Sequence, residues 1–258
     1  MKEKKGFAEY LTENAILVPF NPFHPLTVSV SRETLTFISP QMFSSEQVVI
    51  LKSLCSSFGI KLSKDMIDKF QAYSDLLLNW NKRINLVSKR DATSDRIIRH
   101  FIDSLSIFKS VDIPKTSRIL DIGSGAGFPA IPIKIVREDI HTALLESIHK
   151  KTLFLKKLIE VLKLEEINII NDRAENVSLD ENFRDKFDFV TLKAFGDLQA
   201  GIKLALPFLK IGGCVVFYKG KRTKNEIRGI KPPVDYKIED IDIPEINLAR
   251  CLVILRKI

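Results

Sequence analysis

Long apolar runs, paired cysteines and clustered histidines are all missing from this sequence of 258 residues. No stretch approaches the roughly 18 apolar residues of a membrane-spanning helix, and the start MKEKKGFAEYLTEN is charged where a signal peptide is apolar. Three scattered cysteines without a CxxC motif, and only four histidines, support neither a disulfide framework nor a metal site. We therefore expect a cytoplasmic protein that binds no metal and no membrane.

The composition is that of an ordinary globular protein. Hydrophobic residues make up 45% of the chain and charged residues 28%, which excludes disordered and collagen-like classes. The length suits a single α/β domain with an N-terminal annex. We expect the protein to be a monomer.

The net charge of +8 is concentrated in two segments. Residues 79–100 hold six basic and two acidic residues, and residues 219–231 hold six basic residues and one acidic residue. The remainder of the chain is close to neutral. Two concentrated basic segments are typical of a surface that contacts phosphate, although solvated loops are the alternative.

The first part of the chain contains no alternation of strands and helices. Residues 1–41 are predicted to be an extension with a weak hairpin pattern at 26–38, and Met42 is a candidate start. Residues 42–116 show apolar side chains at helical spacing, with a polar basic loop at 79–91, and predict a helical annex.

Residues 117–258 alternate short apolar runs with amphipathic helical patterns. This alternation predicts a parallel sheet with right-handed crossovers and an antiparallel ending. The predicted strands are 118–123, 142–146, 167–170, 187–192, 213–218, 236–243 and 250–258, and the predicted helices are 130–136, 150–162 and 197–209.

A glycine loop, DIGSGAGFPA (121–130), joins the first predicted strand to a helix. Gly123 and Gly125 let a ligand approach the backbone closely. Phe128 stands where the dinucleotide fingerprint needs a small residue, so a pyrophosphate is disfavoured and a nucleoside carrying a carboxylate fits better. Glu146, at the end of the second strand, is placed to accept hydrogen bonds from a ribose diol.

From about residue 46 onward the chain resembles the small-subunit ribosomal RNA guanine-N7 methyltransferases, the glucose-inhibited division B proteins. The motifs that carry the resemblance are LLLNWNKRINLVSKRD (76–91), IRHFIDSL (98–105), ILDIGSGAGFPAIPIKI (119–135), LLESIHKKTLFL (144–155), NDRAEN (171–176), LKAF (192–195) and LPFLKIGGCVVFYKG (206–220). The resemblance implies the class I S-adenosylmethionine (SAM)-dependent methyltransferase fold, a Rossmann-like sheet of seven mostly parallel strands. It also implies SAM as cofactor. The implied substrate is guanine N7 in the 530-loop region of 16S rRNA, as free rRNA or an assembling small subunit.

The motifs, the glycine loop and the basic segments together indicate the candidate site residues. Those expected to bind the cofactor are Gly123, Gly125, Phe128, Glu146, Ala174, Glu175 and Lys193. Lys193, where the family usually has arginine, is also the expected catalytic residue. It keeps the charge but lacks the bidentate guanidinium. Residues expected to contact the RNA are Arg90, Arg99, His100, Lys150, Lys151, Arg173, Lys219 and Lys221.

Guanine N7 carries a free lone pair and needs no general base, which suits a chain without an evident acid–base pair. One family of enzymes that methylate exocyclic amines carries a diproline motif where this chain has Lys-Ala-Phe (193–195), so that class is disfavoured. The cysteines lie in predicted core elements rather than at a reactive position. His100 and Asp103 form either a catalytic dyad or a polar cluster that orients the annex. Alternative functions are methylation of another RNA or a small molecule, and non-catalytic binding of SAM or RNA.

Overall fold

Side-chain caps start the three helices of the annex in the computed structural model, which describes residues 42–220 and 234–258. These helices are α1 (Ser45–Ser57), α2 (Lys64–Asn81) and α3 (Ser94–Leu105). Each begins after a hydroxyl side chain that accepts a hydrogen bond from a first-turn N–H, namely Ser44, Ser63 and Thr93. Because α2 continues to Asn81, the basic loop predicted at 79–91 starts only after that residue.

Strands and helices alternate through the rest of the described chain. Their bounds are β1 (Arg118–Ile122), α4 (Ala130–Val136), β2 (His141–Leu145), α5 (His149–Leu162), β3 (Ile167–Ile170), α6 (Ala174–Val177), β4 (Phe187–Lys193), α7 (Leu198–Ala205), β5 (Leu209–Lys219), β6 (Val234–Ile243) and β7 (Leu248–Lys257). The strands form one sheet in the order β3-β2-β1-β4-β5-β7-β6. Strands β1 to β5 pair in parallel, while β7 pairs antiparallel with β5 and β6. The predicted mostly parallel sheet with an antiparallel ending is confirmed.

The annex and one face of the sheet share a hydrophobic core. Tyr73 and Leu77 of α2 and Phe101 of α3 are fully buried in the same cluster as Ile131 of α4 and Phe154 of α5. A second cluster, built around α7, covers the other face of the sheet. The boundary predicted at 116/117 therefore marks a change of secondary structure and does not separate two hydrophobic cores.

One predicted helix ends earlier than expected. The pattern at 197–209 predicts a single helix, but α7 stops at Ala205 and a 3-10 turn covers Leu206–Phe208. Pro207 lacks an N–H and disfavours helical conformation in its predecessor, which explains the change. The extension at 1–41, with its hairpin pattern, and residues 221–231 of the second basic segment lie outside the described residues.

The strand order places the glycine loop at a topological switch point. From β1 the chain passes outward through β2 to β3, and then returns to β4 on the other side of β1. In open α/β sheets a crevice forms beyond the carboxyl ends of the two strands at this reversal. The loop after β1 and Lys193 at the end of β4 therefore border the same crevice.

No helix in residues 42–220 or 234–258 is long and apolar enough to cross a membrane.

The shared core predicts that annex and sheet unfold together. Leu77→Ala removes a fully buried side chain and should lower the free energy of unfolding by about 2–5 kcal/mol. Fluorescence of Trp80, the chain's only tryptophan and a residue of the annex, should follow the same urea transition as far-UV circular dichroism. Leu179→Ala, at a side chain 78% exposed, is the control and should change stability by less than about 0.5 kcal/mol. A Trp80 transition at lower urea than the dichroism transition would contradict the shared core.

Candidate active site

Two glycines of the loop after β1 serve different purposes. Gly123 has a φ of +73°, and a Cβ built there would meet no atom within 4 Å, so the backbone borders open space. Gly127 has a φ of +96°, and a Cβ there would lie 2.7 Å from the Tyr73 hydroxyl. That hydroxyl donates a hydrogen bond of 2.6 Å to the carbonyl of Ala126. Gly127 thus lets the annex pack on the loop, while Gly123 leaves room for a ligand.

Glu146 is fixed by two backbone amides at the carboxyl end of β2. Its Oε2 accepts a hydrogen bond of 2.9 Å from the Gly125 N–H, and its Oε1 accepts one of 2.8 Å from the Ile148 N–H. The residue is only 4% exposed. Because each carboxylate oxygen can accept a second hydrogen bond, the group can still receive hydroxyl donors.

Asp121, the fourth residue of β1, has a buried carboxylate with an unpaired oxygen. Its Oδ1 accepts a hydrogen bond of 2.7 Å from the Thr191 hydroxyl, whereas Oδ2 has no hydrogen-bond partner among the described residues. Burial raises the pKa of this carboxyl to about 7. A buried acceptor without a donor is costly, and a positively charged ligand group is what would satisfy it.

Lys193, at the end of β4, is held by a buried carboxylate of the annex. Its Nζ lies 2.9 Å from Oδ2 of Asp103, whose Oδ1 is 3.1 Å from Nε of Arg250 in β7. Burial alone would raise the pKa of Asp103, but the charges of Lys193 and Arg250 outweigh it and lower that pKa. Burial lowers the pKa of Lys193, against the opposing effect of Asp103.

Phe128 of the glycine loop forms an aromatic stack beside this ion pair. The Phe128 ring stacks between Tyr73 and His100, with ring centroids 5.4 and 5.1 Å away. Nζ of Lys193 lies 5.1 Å from the centroid of the Phe128 ring. Burial and the charge of Lys193 lower the pKa of His100 to about 4, so this imidazole is neutral near pH 7.

The residues predicted to bind a cofactor follow the carboxyl ends of four neighbouring strands. Gly123 and Gly125 follow β1, Glu146 follows β2, Ala174 and Glu175 follow β3, and Lys193 ends β4. Phe128 is different because its ring is 9% exposed and packs against the annex. A contact between Phe128 and the cofactor stays a prediction.

The residues predicted to contact RNA have varied surroundings. Arg90, Lys150 and Arg173 are exposed, while Arg99, His100 and Lys151 are partly buried. Lys219 is buried, and its Nζ donates hydrogen bonds to two backbone carbonyls. A contact between Lys219 and RNA stays a prediction. Lys221 lies outside the described residues.

Arg250 is a site residue that sequence reasoning missed. It meets Asp103 across 147 residues of sequence, and no local pattern in RCLVILRKI marks it. The geometry around Asp103 matches the polar-cluster alternative, because both carboxylate oxygens are in ion pairs. Asp121 precedes the loop in the motif, but only the structure shows its unpaired oxygen.

The described residues offer little for nucleophilic or metal chemistry. All three cysteines are buried free thiols, as expected, and burial raises the pKa of Cys55 to about 12 and that of Cys214 above its ordinary value. Within 42–220 and 234–258, no group of three or more His, Cys, Asp or Glu side chains is arranged to hold a metal ion.

Comparison with known proteins identifies the family. The family model described as rRNA small subunit methyltransferase G matches residues 66–247. The chain belongs to this family. A relative from Acetivibrio thermocellus, named ribosomal RNA small subunit methyltransferase G, is 38% identical over 208 residues, which span 78% of this chain and 85% of the relative. One of the same name from Clostridium tetani is 35% identical over 215 residues, which span 81% and 90% of the two chains.

The methyltransferase G family assignment agrees with the fold, which is that of class I methyltransferases. A solved structure of MtNAS in complex with MTA and tNA superposes with a TM-score of 0.51 at 13% identity. The superposition covers 83% of this chain and 78% of that one. At such low identity the likeness shows a shared fold and nothing about the reaction.

The pKa values of Asp121 and His100 are shifted in opposite directions, which predicts opposite pH effects on stability. The pKa of Asp121 is about 7 in the folded chain and near 3.8 when unfolded, so its contribution to stability decreases as pH rises through that window. The pKa of His100 is about 4 when folded and near 6.5 when unfolded, so its contribution increases as pH rises from 4 to 6.5.

Asp121→Asn isolates the first effect, because asparagine stays neutral. The variant should match the wild type at acidic pH and exceed its free energy of unfolding by up to about 4 kcal/mol at pH above about 7. Urea denaturation of both proteins across pH measures the difference. A difference that does not change with pH would show that Asp121 keeps an ordinary pKa.

Proposed function

We propose that this protein is a SAM-dependent enzyme that transfers a methyl group to N7 of a guanine in the 530-loop region of 16S rRNA. The observation that carries the proposal is the switch-point crevice. There, β1 supplies the buried Asp121 carboxylate, whose Oδ2 has no hydrogen-bond partner among the described residues, and β4 supplies the Lys193 cation. The two charges interact electrostatically. The names of the relatives point to the same substrate class.

The residues around the crevice fit SAM group by group. Oδ2 of Asp121 has no hydrogen-bond partner among the described residues and could accept a hydrogen bond from the ammonium of SAM. Glu146 is fixed by two amides and can still accept hydrogen bonds from a ribose diol. Ala174 and Glu175 follow the neighbouring strand, where the adenine of such a nucleoside would be held. When bound, SAM supplies a methyl group already activated on a sulfonium.

The chain's own part in the reaction is positioning and exclusion of water. N7 of guanine has an in-plane lone pair and loses no proton when methylated, so no general base is required. The described side chains agree with this requirement, since Asp103 forms two ion pairs and burial raises the pKa values of Cys55 and Cys214, which makes both thiols poor nucleophiles. Orientation of the base beside the cofactor accounts for catalysis without a proton relay.

Lys193 is the group that would orient the base. Among the described residues, its one polar contact shorter than 3 Å is with Asp103, whereas its Nζ lies 3.5 Å from the His100 carbonyl oxygen and 3.4 Å from the Ser104 hydroxyl. An ammonium has three donors, so Lys193 can turn an N–H towards O6 of guanine while keeping its ion pair. Arg90 and Arg99, in or near α3, and Lys150 and Arg173, beyond β2 and β3, would contact the RNA backbone.

Transfer of tritium-labelled methyl from SAM tests the function. Purified small subunits, naked 16S rRNA and ribosomal protein fractions serve as alternative acceptors. We expect label in the RNA and, after aniline treatment that detects N7-methylguanine, cleavage at one guanine of the 530 loop. Label in another RNA or in protein would support a different methyltransferase, and SAM binding without transfer would support a non-catalytic binding protein.

Lys193→Met removes the ammonium and keeps most of the side chain's volume. It should lower kcat by about 10- to 100-fold, because a charged hydrogen bond to the base is lost, and change the Kd for SAM less than about threefold. Lys193→Arg, which restores a cation, should recover much of the loss. Lys210→Met, which breaks a pair with Asp188 at 2.6 Å near the start of β5, is the matched control and should leave kcat unchanged. Wild-type turnover in Lys193→Met would remove Lys193 from the mechanism.

A further inference from the structure

Lys219, the last residue of β5, has a buried ammonium that joins two backbone carbonyls. The residue is 8% exposed, and its Nζ donates hydrogen bonds to the carbonyl oxygens of Phe195 at 3.1 Å and Gly196 at 2.6 Å. Burying an ammonium is costly unless its donors are satisfied, so these hydrogen bonds fix the lysine and the two carbonyls together.

The two carbonyls belong to the turn that connects β4 to α7. Ala194 opens this turn with a φ of +60°, the left-handed conformation that a residue with a Cβ seldom adopts. Phe195 packs closely on α7, because a Cβ at Gly201 would lie 3.2 Å from its ring. The turn is therefore held on one side by the Phe195 ring and on the other by the Lys219 ammonium, which together oppose relaxation of Ala194.

The turn follows Lys193 directly. Lys193 and Tyr218 are Cα partners in the β4–β5 ladder, and Lys219 is the next residue of β5. The Lys219 hydrogen bonds thus lie at the carboxyl edge of β4, where the switch-point crevice opens. A change in the path of 194–196 would move the end of β4 and the backbone that carries the Lys193 ammonium.

We propose that Lys219 is a positioning residue for methyl transfer. By holding the 195 and 196 carbonyls, it keeps the left-handed turn in place and with it the orientation of Lys193 towards the base. This inference rests on the proposed function. It also gives Lys219 a role other than the RNA contact that its place in the second basic segment predicts.

Lys219→Met tests the proposal, since methionine keeps the apolar stem and removes the donors. Hydrogen exchange measured by mass spectrometry should become at least threefold faster in peptides covering 193–200. The kcat for methyl transfer to rRNA should fall at least tenfold, with the KM for RNA and the Kd for SAM each changed less than threefold. Lys219→Arg, which keeps N–H donors, should recover part of kcat.

Lys134→Met is the matched control. Lys134 is also buried, and its Nζ donates to the carbonyls of Glu138 and Ile140 at 2.8 and 2.6 Å, but it lies in α4 and holds the loop before β2, at the opposite edge of the sheet. This variant should lose stability and keep the kcat of the folded protein. An equal fall of kcat in both variants would show that losing any buried lysine that joins two backbone carbonyls lowers kcat. That result would overturn the proposal.

The double variant Lys219→Met/Ala194→Gly adds a rescue. Glycine adopts the left-handed conformation without the Cβ penalty. The kcat of the double variant should therefore be two- to fivefold higher than the kcat of Lys219→Met. Ala194→Gly alone should change kcat less than twofold. Failure of the double variant to exceed Lys219→Met would overturn the role assigned to the left-handed turn.

Two further outcomes separate this proposal from its alternatives. In Lys219→Met, a higher KM for RNA with unchanged kcat would make Lys219 an RNA contact and overturn the positioning role. The slope of log KM against log salt concentration would then fall by about one, the value of one phosphate contact. A wild-type protein that transfers no methyl group to RNA would overturn the proposed function and the catalytic part of this inference. In that case hydrogen exchange would still show separately whether Lys219 holds the turn.

Discussion

The ion pairs of Asp103 are the contact on which the arrangement of the site depends. Burying a carboxylate to 1% exposure is costly, and the described chain offsets this cost for Asp103 with Lys193 from β4 and Arg250 from β7. Because Asp103 lies in α3, the annex must dock with this helix over the carboxyl edge of the sheet. That docking places His100 on Phe128 and closes one side of the crevice.

Two buried aspartates at this edge show how environment sets the role of a group. Asp103 has both oxygens in ion pairs, and its pKa is lowered by them. Asp121 has one oxygen bonded to Thr191 and the other unpaired, and burial raises its pKa. The first carboxylate is part of the framework, while the second is left in a state that a cationic ligand would stabilise. A buried acceptor without a donor is costly to retain, and local departures of this kind are typical of functional sites.

The fold and the loop were predictable because their signals are local. Period-two and period-3.6 patterns located the seven strands and the main helices of the described chain. The motifs placed Gly123 and Glu146 directly after β1 and β2, and Lys193 at the end of β4. The predicted helix was wrong at 206–209, where the apolar pattern favoured a continuing helix and Pro207 favoured its end. Lys219 could not be placed from composition, because a basic residue in a basic segment looks exposed whether or not its strand is central in a sheet.

The sequence by itself determined the order of strands and helices, the chemistry of the glycine loop and the family, because these depend on neighbouring residues and short motifs. Only the tertiary structure decided that Asp103 joins Lys193 to Arg250 and that Asp121 keeps an oxygen without a partner among the described residues. It also decided that Lys219 donates hydrogen bonds to the carbonyls of the turn after β4. The reason is physical. Hydrogen bonds and ion pairs between residues up to 147 positions apart form only when the sheet and annex bring those residues together. Burial then sets the strength of each interaction and the pKa of each titratable group.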